Sequence, residues 1–162
     1  MIVITLDALA LPANDLGARQ PRAETRRLWN ALFPYYHGRI IVLADGIARD
    51  GLQGEGILLE WLKRENFKAS SVDMFEKSGA DAKFDRVISL SAVYGMMHWF
   101  IDTDPETIAK VAHHGIPTLL VTVPHTIRPE WVDGKPMKPW DTLVEEINNQ
   151  ELAKKEREWG DV

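Results

Sequence analysis

The sequence has 162 residues, of which 45% are hydrophobic and 27% charged, and this composition indicates a globular domain rather than a disordered chain. Its formal net charge of −5 argues against a broad nucleic-acid-binding surface. Because the chain contains no cysteine, a disulfide scaffold, a thiolate zinc site and a cysteine nucleophile are excluded.

Strand and helix patterns alternate along most of the chain. Most strands are predicted where aliphatic and β-branched residues run without interruption, which is typical of parallel strands buried on both faces. The stretch 68–74 has a weaker strand pattern. Helices are predicted where apolar residues recur at helical spacing, with Pro34 and Gly38 closing the first of them. In chain order, the prediction is a strand at 2–6, a helix from 21, a strand at 40–44, a helix from 51, a strand at 68–74, a helix at 82–95, a strand at 98–101, a helix at 105–113 and a strand at 116–123.

This alternation predicts an α/β three-layer sandwich, in which right-handed crossovers place helices on both faces of a parallel sheet. We expect one core domain at residues 1–123. The spacing places Trp29, Trp61 and Trp99 in its interior. Ile57 falls on the buried face of the second helix.

No apolar run reaches the roughly 18 residues that cross a membrane. The chain also passes from Met1 directly into the first predicted strand, without the pattern of a signal peptide. The expected location is therefore the cytoplasm, with no membrane partner.

Residues 124–162 differ from the core in composition. The stretch 124–140 holds four prolines and the tryptophans Trp131 and Trp140, and the charged stretch after it has a helical pattern. Prolines pre-set the backbone and lower the cost of ordering it, so we expect an ordered arm and a helix that pack on the same domain. The alternative is that the 124–140 arm contacts a protein partner or a second copy of the chain.

Acidic residues follow three of the predicted strands. Asp7, Asp45 and Asp102 each come directly after a buried run, and Asp104 follows shortly after the last of them. Ligands of parallel sheets bind beyond the carboxyl ends of the strands, where carboxylates can hold Mg²⁺ together with water and phosphate oxygens. A single Asp at such a position is equally often a turn residue or a helix N-cap. The combination of Asp7 with Asp102 and Asp104 favours a functional site, with the Asp7 and Asp102 carboxylates in reach of one metal ion.

The segment from Trp99 to Thr118 resembles the fourth motif of the HAD-like (haloacid dehalogenase-type) superfamily: a strand ending in metal-binding acids, a helix, and a Gly-Ile turn into the last core strand. The segment from Ile2 to Asp7 resembles the first motif, whose Asp is the nucleophile. Lys83, or failing that Lys77, takes the place of the third-motif lysine. The resemblance covers about residues 1–123, and it extends to short capless HAD-like proteins of actinobacterial phages.

The resemblance implies a capless, Rossmann-like sheet and a Mg²⁺-dependent phosphohydrolase. In that enzyme Asp7 would be the nucleophile and, with Asp102 and Asp104, a metal ligand. Lys83 would stabilise the charge of the phosphoryl group.

Two positions depart from the family motifs. Leu9 stands where a phosphatase has the Asp that protonates the leaving group, work typically worth about 10²–10⁴-fold in rate. Ala44 stands where the second motif has Ser or Thr. We therefore expect a degenerate HAD-like domain that binds a phosphorylated small molecule or a protein partner, with phosphatase activity weak or lost. The alternative is a Mg²⁺-dependent phosphohydrolase that uses Asp7 as its nucleophile.

Overall fold

Five strands form a parallel sheet in the computed structural model, which describes residues 1–12, 19–47, 52–122 and 140–160. The strands are β1 (Ile2–Thr5), β2 (Ile40–Ala44), β3 (Ser71–Met74), β4 (Trp99–Asp102) and β5 (Thr118–Leu120). The helices are α1 (Leu6–Leu9), α2 (Ala23–Tyr36), α3 (Leu52–Arg64), α4 (Ala80–Tyr94), α5 (Pro105–His113) and α6 (Trp140–Gly160). The predicted α/β class and parallel sheet are confirmed.

The strands lie in the order β3-β2-β1-β4-β5. Ile4 of β1 pairs with Val42 of β2 on one side and with Ile101 of β4 on the other. The chain thus builds outward from β1 to β3 and then returns to β4 on the far side of β1. In open α/β sheets a crevice for ligands forms at such a reversal, beyond the carboxyl ends of the two strands.

Alternate residues of β1 face two separate apolar clusters. Ile2 and Ile4 pack in a cluster with Trp29 of α2 and Trp61 of α3, so the predicted interior positions of these two tryptophans are confirmed. Phe67, at the end of the turn after α3, joins the two indole rings, with ring centroids 5.1 Å from Trp29 and 5.6 Å from Trp61. Aromatic side chains therefore cover this face of the sheet.

The opposite face of the sheet packs against α4 and α5. Val3 and Phe100 lie in a cluster with Val87 of α4 and with Val111 of α5, and these four side chains are fully buried. Phe100 is the one aromatic residue among the buried members of this cluster, and Phe75 and Phe84 pack at its margin. Both faces of the sheet are therefore covered by helices.

The structure corrects three details of the sequence prediction. Helix α2 continues through Pro34 to Tyr36, since a proline in the last turn removes a single backbone hydrogen bond. Ile57 is 63% exposed, because the buried stripe of α3 runs through Leu58 and Trp61 instead. Trp99 is 39% exposed, since it opens β4 beside the short edge strand β5.

A short antiparallel bridge follows α1. Ala10 pairs with Pro21, and the Leu11 N–H donates to the Gln20 carbonyl at 2.8 Å. The Arg22 N–H donates to the Leu9 carbonyl at the same distance. Both ends of the intervening segment are therefore held together beside the carboxyl end of β1.

The chain divides into two compact units, Met1–Val121 and Thr122–Val162. In the second unit, α6 confirms the predicted C-terminal helix, and its side chains at 151–155 are exposed. The proline-rich stretch up to residue 139, with Trp131, lies outside the described residues, so its packing and its role as a contact surface stay predictions. None of the described helices combines the length and the apolar character needed to cross a membrane.

Candidate functional site

A buried ion pair lies at the carboxyl edge of the sheet, where the strand order reverses. The ammonium of Lys83, in the first turn of α4, donates to Oδ2 of Asp102 at 2.8 Å. Asp102 is the last residue of β4. The two side chains are 6% and 0% exposed, so both charges are almost fully removed from water. Two residues that the sequence nominated separately are thus brought into direct contact.

The other oxygen of Asp102 accepts two hydrogen bonds. The Thr5 hydroxyl donates to Oδ1 at 2.7 Å, and the backbone N–H of Thr103 donates to the same oxygen at 2.7 Å. Thr5 ends β1 and caps α1, because its hydroxyl oxygen also accepts from the Ala8 N–H at 3.3 Å. One hydroxyl therefore joins the end of β1 to the end of β4.

Asp104 extends this network towards solvent. It is the N-cap of α5 and accepts hydrogen bonds from the backbone N–H groups of Glu106 and Thr107, at 3.2 and 3.3 Å. Its Oδ2 also accepts from the Thr107 hydroxyl and lies 3.6 Å from the Lys83 ammonium. The following Pro105 suits the first position of a helix. Asp104 thus both caps a helix and shares Lys83 with Asp102.

Asp45, directly after β2, is a third acid whose negative charge helps to raise the pKa of Lys83. Its Oδ2 accepts a hydrogen bond from the backbone N–H of Gly79 at 3.2 Å. Gly79 precedes α4 with φ +104°, a conformation that side chains with a Cβ rarely adopt. The contact therefore ties the end of β2 to the start of the helix that carries Lys83.

Asp7 has a different set of partners. It lies beyond the end of β1, in the turn of helix α1, and its side chain is 52% exposed. Its carboxylate lies 3.8 Å from the guanidinium of Arg19, and its carbonyl accepts from Nε of Arg22 at 2.8 Å. Asp7 therefore lies near two arginines, while Asp102 is bonded to Thr5 and Lys83.

Of the two candidate lysines, Lys83 contacts the acids at the end of β4, whereas the Lys77 side chain is exposed. The two positions that depart from the family motifs are both buried. Leu9 and Ala44 are each 0% exposed and lie in the cluster under α2 and α3. Both side chains are therefore closed off from solvent.

Burial and charge act against each other in the buried pair. Burial raises the pKa of Asp102, against the opposing effect of the Lys83 ammonium. Burial acts to lower the pKa of Lys83, but the attraction of Asp102, supported by Asp104 and Asp45, outweighs it and raises that pKa. The first shift disfavours the carboxylate and the second favours the ammonium. We assign the ion-paired form, because three donors converge on Asp102.

The oxygens that would hold Mg²⁺ already have partners in the protein. Both oxygens of Asp102 and both oxygens of Asp104 already accept hydrogen bonds from the protein. In the described parts of the chain, no three His, Asp or Glu side chains are grouped so that they could hold a metal ion. The magnesium site formed by Asp7, Asp102 and Asp104 thus stays a prediction from the sequence.

Three residues of the network were not selected from the sequence as site residues. Thr5 could have been noticed as the single polar residue in the run Ile2 to Leu6. Thr107 lies three residues after Asp104, the spacing of an N-cap contact. Asp45 was noticed as a strand-end acid, but no pattern connects it to Gly79 or Lys83.

No model of a known protein family matches this chain, and a search of curated proteins also returns no match.

Proposed function

We propose that this domain binds a phosphorylated ligand at the carboxyl edge of β1 and β4, with phosphate hydrolysis weak or lost. One observation carries the proposal. Of the five buried polar or charged residues in the described part of the chain, four belong to the network at this edge: Thr5, Lys83, Asp102 and Thr107. Burying polar groups costs free energy unless they are well paired, and here they are concentrated where α/β sheets bind ligands.

Two arginines support a phosphate ligand. Arg19 and Arg22 both contact Asp7 just beyond β1, and guanidinium groups match the geometry of phosphate oxygens. The Arg19–Asp7 pair is 3.8 Å long, and its side chains are 36% and 52% exposed. Exposed pairs of this kind contribute little stability, so a phosphate can compete for Arg19 at small cost.

Weak hydrolysis follows from Leu9 and Ala44. A phosphatase needs a proton donor for its leaving group, and Leu9 carries no such proton. Ala44 lacks the hydroxyl that would help to hold the phosphoryl group. The exposed carboxylate of Asp7 favours the second candidate, a HAD-like phosphohydrolase with Asp7 as its nucleophile. A capless HAD-like core is part of both proposals, because acids beyond β1 and β4 agree with that resemblance.

Thermal unfolding with inorganic phosphate and with a phosphate monoester tests the binding proposal. We expect a saturable rise in Tm that sulfate at equal ionic strength reproduces only in part. The Arg19→Ala/Arg22→Ala variant should lose most of this rise. Arg27→Ala, which removes an exposed arginine from α2, is the matched control and should keep it. The absence of any phosphate-dependent rise in the wild type would reject the proposal.

Hydrolysis of p-nitrophenyl phosphate separates the two candidates. We expect little or no turnover in the wild type, with or without Mg²⁺. Turnover near the enzyme median of about 10 s⁻¹, abolished by Asp7→Asn, would establish the phosphohydrolase instead.

A further inference from the structure

Lys83 lies where two acids converge. Its ammonium is 2.8 Å from Oδ2 of Asp102 and 3.6 Å from Oδ2 of Asp104. The lysine side chain is only 6% exposed, so this positive charge is held inside the domain rather than supplied from solvent. A buried ammonium that contacts two carboxylates attracts both of them electrostatically, as a bound metal cation would.

Further hydrogen bonds from the protein hold both acids in place. Oδ1 of Asp102 accepts from Thr5 and Thr103, and Oδ1 of Asp104 accepts from the Glu106 N–H. Mg²⁺ requires near-octahedral oxygen ligands at about 2.0–2.1 Å. To bridge the Oδ2 atoms of the two acids, it would have to displace the ammonium that contacts both.

We propose that the Lys83 ammonium is the resident cation of this site and that it excludes divalent metal from Asp102 and Asp104. The single positive charge of the lysine offsets part of the negative charge of the two acids, so the carboxyl edge of the sheet keeps its geometry without Mg²⁺. This pair of acids therefore lacks the metal dependence expected of a HAD-like domain, because Lys83 of α4 supplies the cation.

This inference concerns the site of the proposed function but does not depend on a phosphorylated ligand. Its readout is the effect of Mg²⁺ alone on stability. Loss of phosphate binding and gain of Mg²⁺ binding are separate measurements, so either proposal can fail while the other holds.

The test compares the Tm of the full chain with and without millimolar Mg²⁺ in the wild type, Lys83→Ala and Lys77→Ala. We expect no change in the wild type or in Lys77→Ala, whose lysine is exposed and lies outside the network. Lys83→Ala leaves two acids without their cation. It should gain a Tm rise of about 3 °C or more, the size expected when Mg²⁺ is about tenfold above its Kd. Adding Asp104→Asn to Lys83→Ala should remove that gain.

Two results would overturn the inference. The first is a saturable Mg²⁺-dependent rise in the wild type that Asp104→Asn removes. The second is a folded Lys83→Ala variant that does not respond to Mg²⁺, since Lys83 would then not be what excludes the metal. If Lys83→Ala does not fold, calorimetric titration of Mg²⁺ into the wild type decides: no binding supports the inference, and binding that Asp104→Asn removes overturns it.

Discussion

Under α2 and α3 the sheet packs against the rings of Trp29, Trp61 and Phe67, whereas under α4 and α5 it packs against aliphatic side chains and a buried ion pair. On the aromatic face, burial of apolar surface stabilises the fold directly. On the charged face, the attraction between Lys83 and Asp102 must first offset the desolvation of both groups. The same sheet thus separates an aromatic layer from the layer that carries the buried ion pair.

The charged face should respond most strongly to removal of one partner. Lys83→Met leaves Asp102 buried without its cation, and we expect a loss of about 3–5 kcal/mol in the free energy of unfolding. Urea denaturation measures this loss. Lys77→Met is the exposed control and should change stability by less than about 0.5 kcal/mol. The double variant Lys83→Met/Asp102→Leu should be more stable than Lys83→Met alone, and a single-variant loss below about 1 kcal/mol would show that the pair is not desolvated.

A matched pair of buried threonines compares the two faces more finely. The Thr5 hydroxyl donates to the carboxylate of Asp102, whereas the Thr25 hydroxyl of α2 donates to the backbone carbonyl of Ala8. Because hydrogen bonds to charged groups contribute more, we expect Thr5→Val to cost about 1.5–3 kcal/mol and Thr25→Val about 0.5–1.5 kcal/mol. Equal losses in urea denaturation would remove the proposed difference between the faces.

The smallest expected effect is on how the free energy of unfolding changes at high pH. The pKa of Lys83 is raised above its ordinary value of 10.5 in the folded protein, because attraction to Asp102 outweighs burial. Its stabilising contribution is then fully present below that ordinary value and is lost as the pH rises through the folded pKa. The stability difference between the wild type and Lys83→Met should therefore shrink at high pH.

Phe67→Leu, on the aromatic face, is the control for the alkaline measurement. No charge changes in this variant, so its stability difference from the wild type should stay constant over the same pH range. A parallel decline in both variants would assign the alkaline loss to other groups.

Much of the sheet could be predicted from the sequence, because strands buried on both faces leave unbroken aliphatic runs. The run at β2, Ile40–Ala44, is found as predicted. Residues at the margins of elements were less predictable. Trp99 is the first residue of a strand next to the sheet edge. Ile57 lies beside the buried face of α3, which runs through Leu58 and Trp61. Period alone does not tell how wide the buried face of a helix is.

The site was predictable only in part. Asp102 and Asp104 stand after a buried run, but the contact with Lys83 joins residues on different elements, and only the family resemblance nominated that lysine. Asp7 lies farther from the strand than predicted, because Thr5 already ends β1 and caps the next helical turn. The hydroxyl that determines this boundary is a single atom in an apolar run, and a hydrophobic pattern gives it no weight.

The bridge between Ala10 and Pro21 marks a position at which a longer segment could be inserted into the chain. Its hydrogen bonds hold Leu11 and Gln20 side by side, so the sheet does not depend on how many residues connect them. Doubling the length of such a connection costs only about 0.6 kcal/mol in closure entropy. The Nε1–H of Trp61 also donates to the Arg19 carbonyl at 2.9 Å, which holds the backbone of Arg19 against α3. We therefore expect that a fluorescent reporter inserted between residues 12 and 19 leaves the sheet folded, with one of its ends next to the Arg19–Asp7 pair.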